Sequence, residues 1–155
     1  MNAVAMEDSY TTPLLYHIDT FYVSAVATNT VSIQVGSATT TTTPTSATQP
    51  SPYNSIRKYT REQYLYTADE LLAAGLSAGP INSIAFYLDS VMGVNDNITF
   101  SDYSISIGTT SLAVFASSGN NWISTTPYFT SNNFVVSKAQ QGWLTHQLDT
   151  PFVWF

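Results

Sequence analysis

Two histidines, ten carboxylates and many hydroxyls are the side chains from which this chain could build a reaction centre. A hydrolytic nucleophile needs a serine beside a base, and the pattern supplies neither in a recognisable setting. His146 falls on an alternating run with Leu144 and Leu148, which reads as a core or rim position rather than a base. His17 lies in the weakly patterned N-terminal part. No Gly-x-Ser-x-Gly elbow is present, and nothing singles out one serine as the partner of a histidine. Glycosidase chemistry needs two carboxylates facing each other across a sugar. Asp69 and Glu70 are instead adjacent, as suits the first turn of a helix, and the other acids are scattered. Cysteine is absent, which removes thiol catalysis, disulfides and thiolate-bound metals together. The expectation is a chain that is not an enzyme.

Binding chemistry is better represented. Asp89, Asn95, Asp96, Asn97 and Asp102 gather around one loop, and hard oxygen ligands of this kind suit calcium, with Asp89, Asp96 and Asp102 as the charged set. The spacing is not that of an EF-hand, and Asn and Asp also stabilise turns through their own side chains. Calcium is thus the one cofactor these residues suit. Among the aromatics, Trp122, Tyr128 and Trp143 are the candidate ligand-binding residues, because ring faces with a polar tip suit a wet, amphipathic ligand such as a glycan. Trp122, flanked by Asn120, Asn121 and Ser124 after a Gly turn, is the best candidate for an exposed ring. Phe152 and Trp154 read as core, since aromatics also fill sheet interiors.

The elements that must hold these groups follow from composition and period. Of 155 residues, 44% are hydrophobic and only 9% charged, so a core can form while Thr, Ser and Asn supply the polar surface. The net charge is −6 with four basic residues, too few to neutralise a run of phosphates, so neither nucleic acid nor an anionic membrane surface is an expected partner. Arg57, Lys58 and Arg61 are three of those four and read as a solvated strand edge. No apolar run reaches the length of a membrane span, and Met1–Tyr10 does not have the form of a signal peptide.

Met1–Pro13 is irregular by pattern. Phe21–Val26 and Val31–Val35 read as two strands joined at Asn29-Thr30 into a hairpin. Ser37–Pro52 is rich in Thr and Pro and has no large side chain to bury, which marks a linker or exposed edge. The expected division is an N-terminal segment over 1–36, the linker over 37–52 and the main module over 53–155. Within the module, strands are expected at Glu62–Tyr66, Ile84–Leu88, Tyr103–Ile107, Leu112–Ala116, Phe134–Val136, Trp143–Leu148 and Phe152–Phe155. Thr67-Ala68-Asp69-Glu70 matches a capping box opening a short helix that Gly75 stops, Gly79-Pro80 marks a turn, Val94–Asn97 a loop and Ser117–Asn121 a turn. Many short strands around one short helix predict an all-β fold, an antiparallel β-sandwich or jelly roll.

Gln63–Gly79 (QYLYTADELLAAGLSAG), the INSIAFYLDS that continues it, Gly142-Trp143 and Thr150–Trp154 (TPFVW) together resemble a β-sandwich module of large secreted Bacteroidota cell-surface proteins exported by type IX secretion. Asp19–Ala25 (DTFYVSA) is similar to the last strand of the Ig-like repeats that precede such modules. The resemblance runs from about Asp19 to Trp154. It implies an extracellular, adhesive or architectural β-sandwich, and it brings no catalytic residues. Family members continue past the last strand into another strand of the same sheet, whereas this sequence stops at Phe155. The expected function is a non-catalytic adhesion module, presenting loops and rings to a glycan or protein surface. The alternative is a structural subunit, of a filament or virion, that shares open strands between chains.

Overall fold

Alternation of apolar and small polar side chains builds the central strands. In Tyr103–Thr110, Tyr103, Ile105 and Ile107 point to the core while Ser104 and Gly108 take the other face. In Gly79–Leu88, Ile84, Phe86 and Leu88 are buried, and Tyr87 on the opposite face is half-buried. The computed structural model describes residues 2–9, 21–25, 31–36, 51–54, 59–89, 97–115 and 122–155. Its elements in chain order are β1 (Asn2–Ser9), β2 (Phe21–Ala25), β3 (Val31–Val35), β4 (Thr60–Tyr66), α1 (Ala68–Ala73), β5 (Gly79–Leu88), β6 (Ile98–Phe100), β7 (Tyr103–Thr110), β8 (Thr126–Ser131), β9 (Phe134–Val136) and β10 (Gly142–Trp154).

The fold is all-β with one short helix. One sheet has the order β4-β1-β7-β8, a second β10-β5-β2-β3, and β6 and β9 form a small ribbon. Every pairing among these strands is antiparallel. One hydrophobic cluster draws on both four-stranded sheets: Ile105 and Ile107 come from the first, Ile33, Phe86, Leu148 and Trp154 from the second. On one flank, β8 packs against β10. There Tyr128 meets Phe152 edge-on at 5.4 Å, and the Asp149 carboxylate accepts from the Thr130 N–H at 3.1 Å. No helix among the described residues is long and apolar enough to cross a membrane.

Several expectations hold at residue level. The hairpin of β2 and β3 forms with Phe21 opposite Val35 and Ala25 opposite Val31. Thr67 caps α1 with the full reciprocal box, its side chain accepting from Glu70 N–H and the Glu70 carboxylate accepting from Thr67 N–H. Gly75, at φ 96°, ends the helix: its N–H donates to Leu72 O and that of Leu76 to Leu71 O.

Others are corrected. Residues 2–9, expected to be irregular, form β1, a central strand whose main chain bonds to β4 on one side and β7 on the other. Tertiary pairing of this kind does not depend on a strong local pattern. Strands from before and after residues 37–52 share sheets, β1 lying between β4 and β7 and β2 between β5 and β3, while residues 37–50 of the expected linker lie outside the described residues. Ser51 and Pro52, at the end of the expected linker, are buried. Leu112–Phe115 is not a strand, and Leu112, Val114 and Phe115 are exposed. Gly79-Pro80 does not turn but opens β5, the position where a sheet tolerates proline. The two strands expected over 143–148 and 152–155 are one strand, β10, whose register slips between Gln147 and Phe152 and so accommodates Pro151. Strands β6 and β8 were not anticipated. Residues 94–96 and 117–121 of the expected loop and turn lie outside the described residues.

Candidate ligand-binding surface

His146 is built into the core. It is 1% exposed, with Tyr53 and Tyr103 stacked, Phe129 edge-on and Phe134 tilted around the imidazole at 5.0–5.8 Å. The Tyr53 hydroxyl and His146 Nε2 share a hydrogen bond of 2.6 Å. Burial drives the imidazole pKa down to about 3, so the ring is neutral. Glu62 is the second perturbed group. Burial raises its carboxyl to about 7, opposed by hydrogen bonds from the Tyr64 hydroxyl at 2.6 Å and the Ser51 N–H at 2.7 Å. Both groups hold residues 51–54 against the sheets, and Thr60 Oγ1 adds a bond to Asn54 O. His17 lies outside the described residues.

The three expected aromatics sit in different settings. Tyr128 is half-buried against the core and is engaged by Phe152. Trp143 is half-buried and packs edge-on at 5.4 Å against Tyr87, its cross-strand partner on β5. Trp122 is 44% exposed, with the Arg61 guanidinium 4.7 Å from its ring centroid. Of the three, it alone presents a large ring to solvent.

The reason Trp122 stands there is a short crossing. Residues 122–125 precede β8 and run over the outer face of the first sheet. The Gln63 amide grips the main chain of Ile123 at both ends: Nε2 donates to Ile123 O at 2.8 Å, and Oε1 accepts from Ile123 N–H at 3.1 Å. One residue on, the chain presses onto Gly108 of β7, where a Cβ would lie 2.7 Å from Ser124 O. Glycine is required because a main chain occupies the space of its side chain. Since β1 separates β4 from β7, the segment spans three strands. Arg61 and Gln63 alternate on the same face of β4, so the clamp on Ile123 sets Trp122 beside Arg61. Sequence reading passed over Gln63 and Gly108, because a lone polar residue and a lone glycine in strands carry no local signal. Arg61 is exposed on the terminal strand β4, as the reading of a solvated edge expects, and its guanidinium also lies over the indole.

Adjacent to this lies an open cleft of about 690 Å3, lined by Gln34, Val35 and Gly36 from the β3 end, Gln63–Tyr66 of β4, and Glu70, Ala73 and Ala74 from α1. β3 and β4 are the terminal strands of their respective sheets. The cleft therefore opens on the flank opposite the β8–β10 contact. Glu70 is exposed and its carboxyl is held below the usual range by the Thr67 N–H and hydroxyl.

The candidate calcium residues lie only partly within the described residues. Asp89 is half-buried after β5 and Asp102 is exposed between β6 and β7, while Asp96 and Asn95 lie outside the described residues. Asn97 Oδ1 accepts from the Lys138 N–H at 3.0 Å, a long-range bond that ties the β6 entry to the β9 exit. Among the described residues, no three His, Asp or Glu side chains converge on a metal position. The chain matches no protein-family model, no curated protein and no solved structure.

Proposed function

We propose that this chain is a non-catalytic extracellular binding module, its two four-stranded sheets stacked as a β-sandwich, that presents the Arg61–Trp122 surface to a glycan or protein ligand. The observation that carries the reading is the exposed indole, fixed from behind by the Gln63 clamp and from the side by Arg61. A ring held in place before the ligand arrives loses little conformational freedom on binding, and an amphipathic ring face suits a partly apolar, partly hydroxylated ligand. The titratable groups with shifted values also support a structural rather than a chemical role, since His146 and Glu62 are spent on seating residues 51–54. The resemblance to secreted Bacteroidota surface modules supports the extracellular setting. The test is capture of the purified chain on arrayed glycans and extracellular matrix proteins, beside Trp122→Ala. Binding that weakens roughly tenfold in the variant is expected, in line with the loss of a central aromatic contact. A wild-type chain that binds nothing on either panel overturns the reading.

A second reading, self-assembly, rests on a separate observation. Val31 on β3 and Val153 on β10 are 57% and 47% exposed, and β3 and β10 are the two terminal strands of one sheet. Pairing β3 of one copy with β10 of the next would continue that sheet head to tail. Light scattering over a wide concentration range tests it. Oligomers that Val153→Lys disperses would support assembly, and a monomer throughout would sink it.

A further inference from the structure

The cleft and the Trp122 surface are neighbours, and three features join them into one groove. Gln63 belongs to both: it lines the cleft and holds the segment that carries Trp122. Gln63 and Leu65, which line the cleft, lie on the same face of β4 as Arg61, which meets Trp122. The far end of the cleft is built by α1, so the surface runs along β4 from Arg61 past Gln63 to Leu65, and Tyr64 and Tyr66 reach the cleft from the other face of the strand. Arg61 to Leu65 is four rises of about 3.3 Å, roughly 13 Å, longer than one sugar ring.

The lining indicates the ligand's chemistry. At the α1 end stand the Gln34 amide, the Glu70 carboxylate, Tyr64 and Tyr66, and the methyl groups of Ala73 and Ala74. At the other end stand the indole and a guanidinium. Among the described residues the Gln34 amide donates a long 3.4 Å bond to Gly36 O, weak enough for it to turn toward a ligand. Amides, carboxylates and rings set along an open groove match the hydroxyls and apolar faces of a sugar chain. Charge argues against a polyanion. The whole chain is at −6, and Glu70 sits at one end of the groove. We propose that the groove along β4 binds a linear, uncharged polysaccharide across several consecutive sugar units, with Trp122 as one subsite and the Gln34–Tyr66–Glu70 cleft as another. This rests on the binding-module reading and specifies its ligand.

A chain engaging both ends makes its second contact intramolecularly, so affinity must climb with chain length. The experiment is calorimetric titration of the full chain with cello-, manno- and xylo-oligosaccharides from the monosaccharide to the hexasaccharide, with hyaluronan as the charged comparison. One uncharged series is expected to gain at least about tenfold from the shortest to the longest member. Trp122→Ala and Gln34→Ala should each reduce the hexasaccharide's affinity to that of a short oligosaccharide, while leaving circular dichroism unchanged. Should Trp122→Ala fail to fold, Trp122→Phe and the quenching of indole fluorescence by the hexasaccharide carry the same test. Equal affinity for monosaccharide and hexasaccharide overturns the extended groove but leaves a binding module. Preference for hyaluronan overturns the uncharged ligand. Failure of every saccharide, with a matrix protein still captured, overturns this inference alone, and failure on both panels removes the underlying reading as well.

Discussion

At the scale of single residues, the buried polar groups show how few partners hold the interior together. His146 has one polar partner, the Tyr53 hydroxyl, and among the described residues its Nδ1 has none. Replacing Tyr53 with Phe keeps the ring packing at 5.8 Å but removes that hydrogen bond. Leaving a buried polar atom unpaired costs about 1–3 kcal/mol, and urea denaturation of Tyr53→Phe should show a loss in that range. No loss would mean that the imidazole finds another partner. Gln63 is a second case, because one amide makes both bonds to Ile123. Gln63→Leu should free Trp122 from its position, seen as a red shift and increased accessibility of indole fluorescence, with only a small change in global stability. An unchanged spectrum would show that Arg61 and Gly108 suffice to hold the ring.

Among the elements, α1 and the 122–125 crossing are the informative pair. The helix has six residues, too few to persist in isolation, so its caps and the burial of Leu71 and Leu76 must sustain it. Thr67→Ala removes the capping box and is expected to cost about 1 kcal/mol. Gly75→Ala forces an alanine to adopt φ 96° and should cost a similar amount, about 1 kcal/mol. Thermal melts read both, and a neutral Gly75→Ala would mean that the helix end relaxes freely. Because a Cβ added at Gly75 would lie 3.8 Å from Ile33 Cγ2 on β3, the substitution also reaches the strand that borders the cleft. Gly108→Ala is the sharper test of the crossing. The added methyl meets main chain at 2.7 Å and not a flexible tip, so the segment must lift. Loss of ligand capture in Gly108→Ala, with the fold retained, would connect that contact to the binding surface.

Across the whole molecule, two buried titratable groups pull stability in opposite directions with pH. Glu62 titrates at about 7 against an ordinary 4.5, so its contribution is complete below pH 4.5 and is lost as pH rises through 7. His146 titrates at about 3 against an ordinary 6.5, so its contribution is complete above pH 6.5 and is lost as pH falls toward 3. Between pH 4.5 and 6.5 the two slopes oppose each other, and below 4.5 the imidazole acts alone. Denaturant midpoints across this range should therefore be flat near pH 5–6 and drop toward pH 3. Glu62→Gln removes one slope. Relative to wild type, the variant should gain up to roughly 3 kcal/mol in stability between pH 4.5 and pH 8. A difference independent of pH would show that the carboxyl is not held in the low-dielectric setting described. Both groups touch residues 51–54, which links this behaviour to the seating of that segment beneath β4.

What the sequence determined by itself was whatever depends on near neighbours. The alternation at Ile84–Leu88 and Tyr103–Ile107, the Thr67–Glu70 box, the Gly75 stop and the all-β class are set by period and by local hydrogen bonding, and these hold in the structure. The placement of Leu144, His146 and Leu148 on one inward face also followed from period alone. What remained hidden depends on contacts distant in the chain. β1 has no pattern of its own to announce it and is made a strand by two partners, one more than fifty residues away and the other about a hundred. Gln63 and Ile123 are 60 residues apart, and Tyr53 and His146 are 93 apart. Trp122 could be suspected from its polar neighbours, but its partner Arg61 could not, because which ring a guanidinium meets is decided by how segments distant in the chain are laid side by side. Local chemistry chose the strands, and long-range pairing chose which of their side chains stand together on the surface.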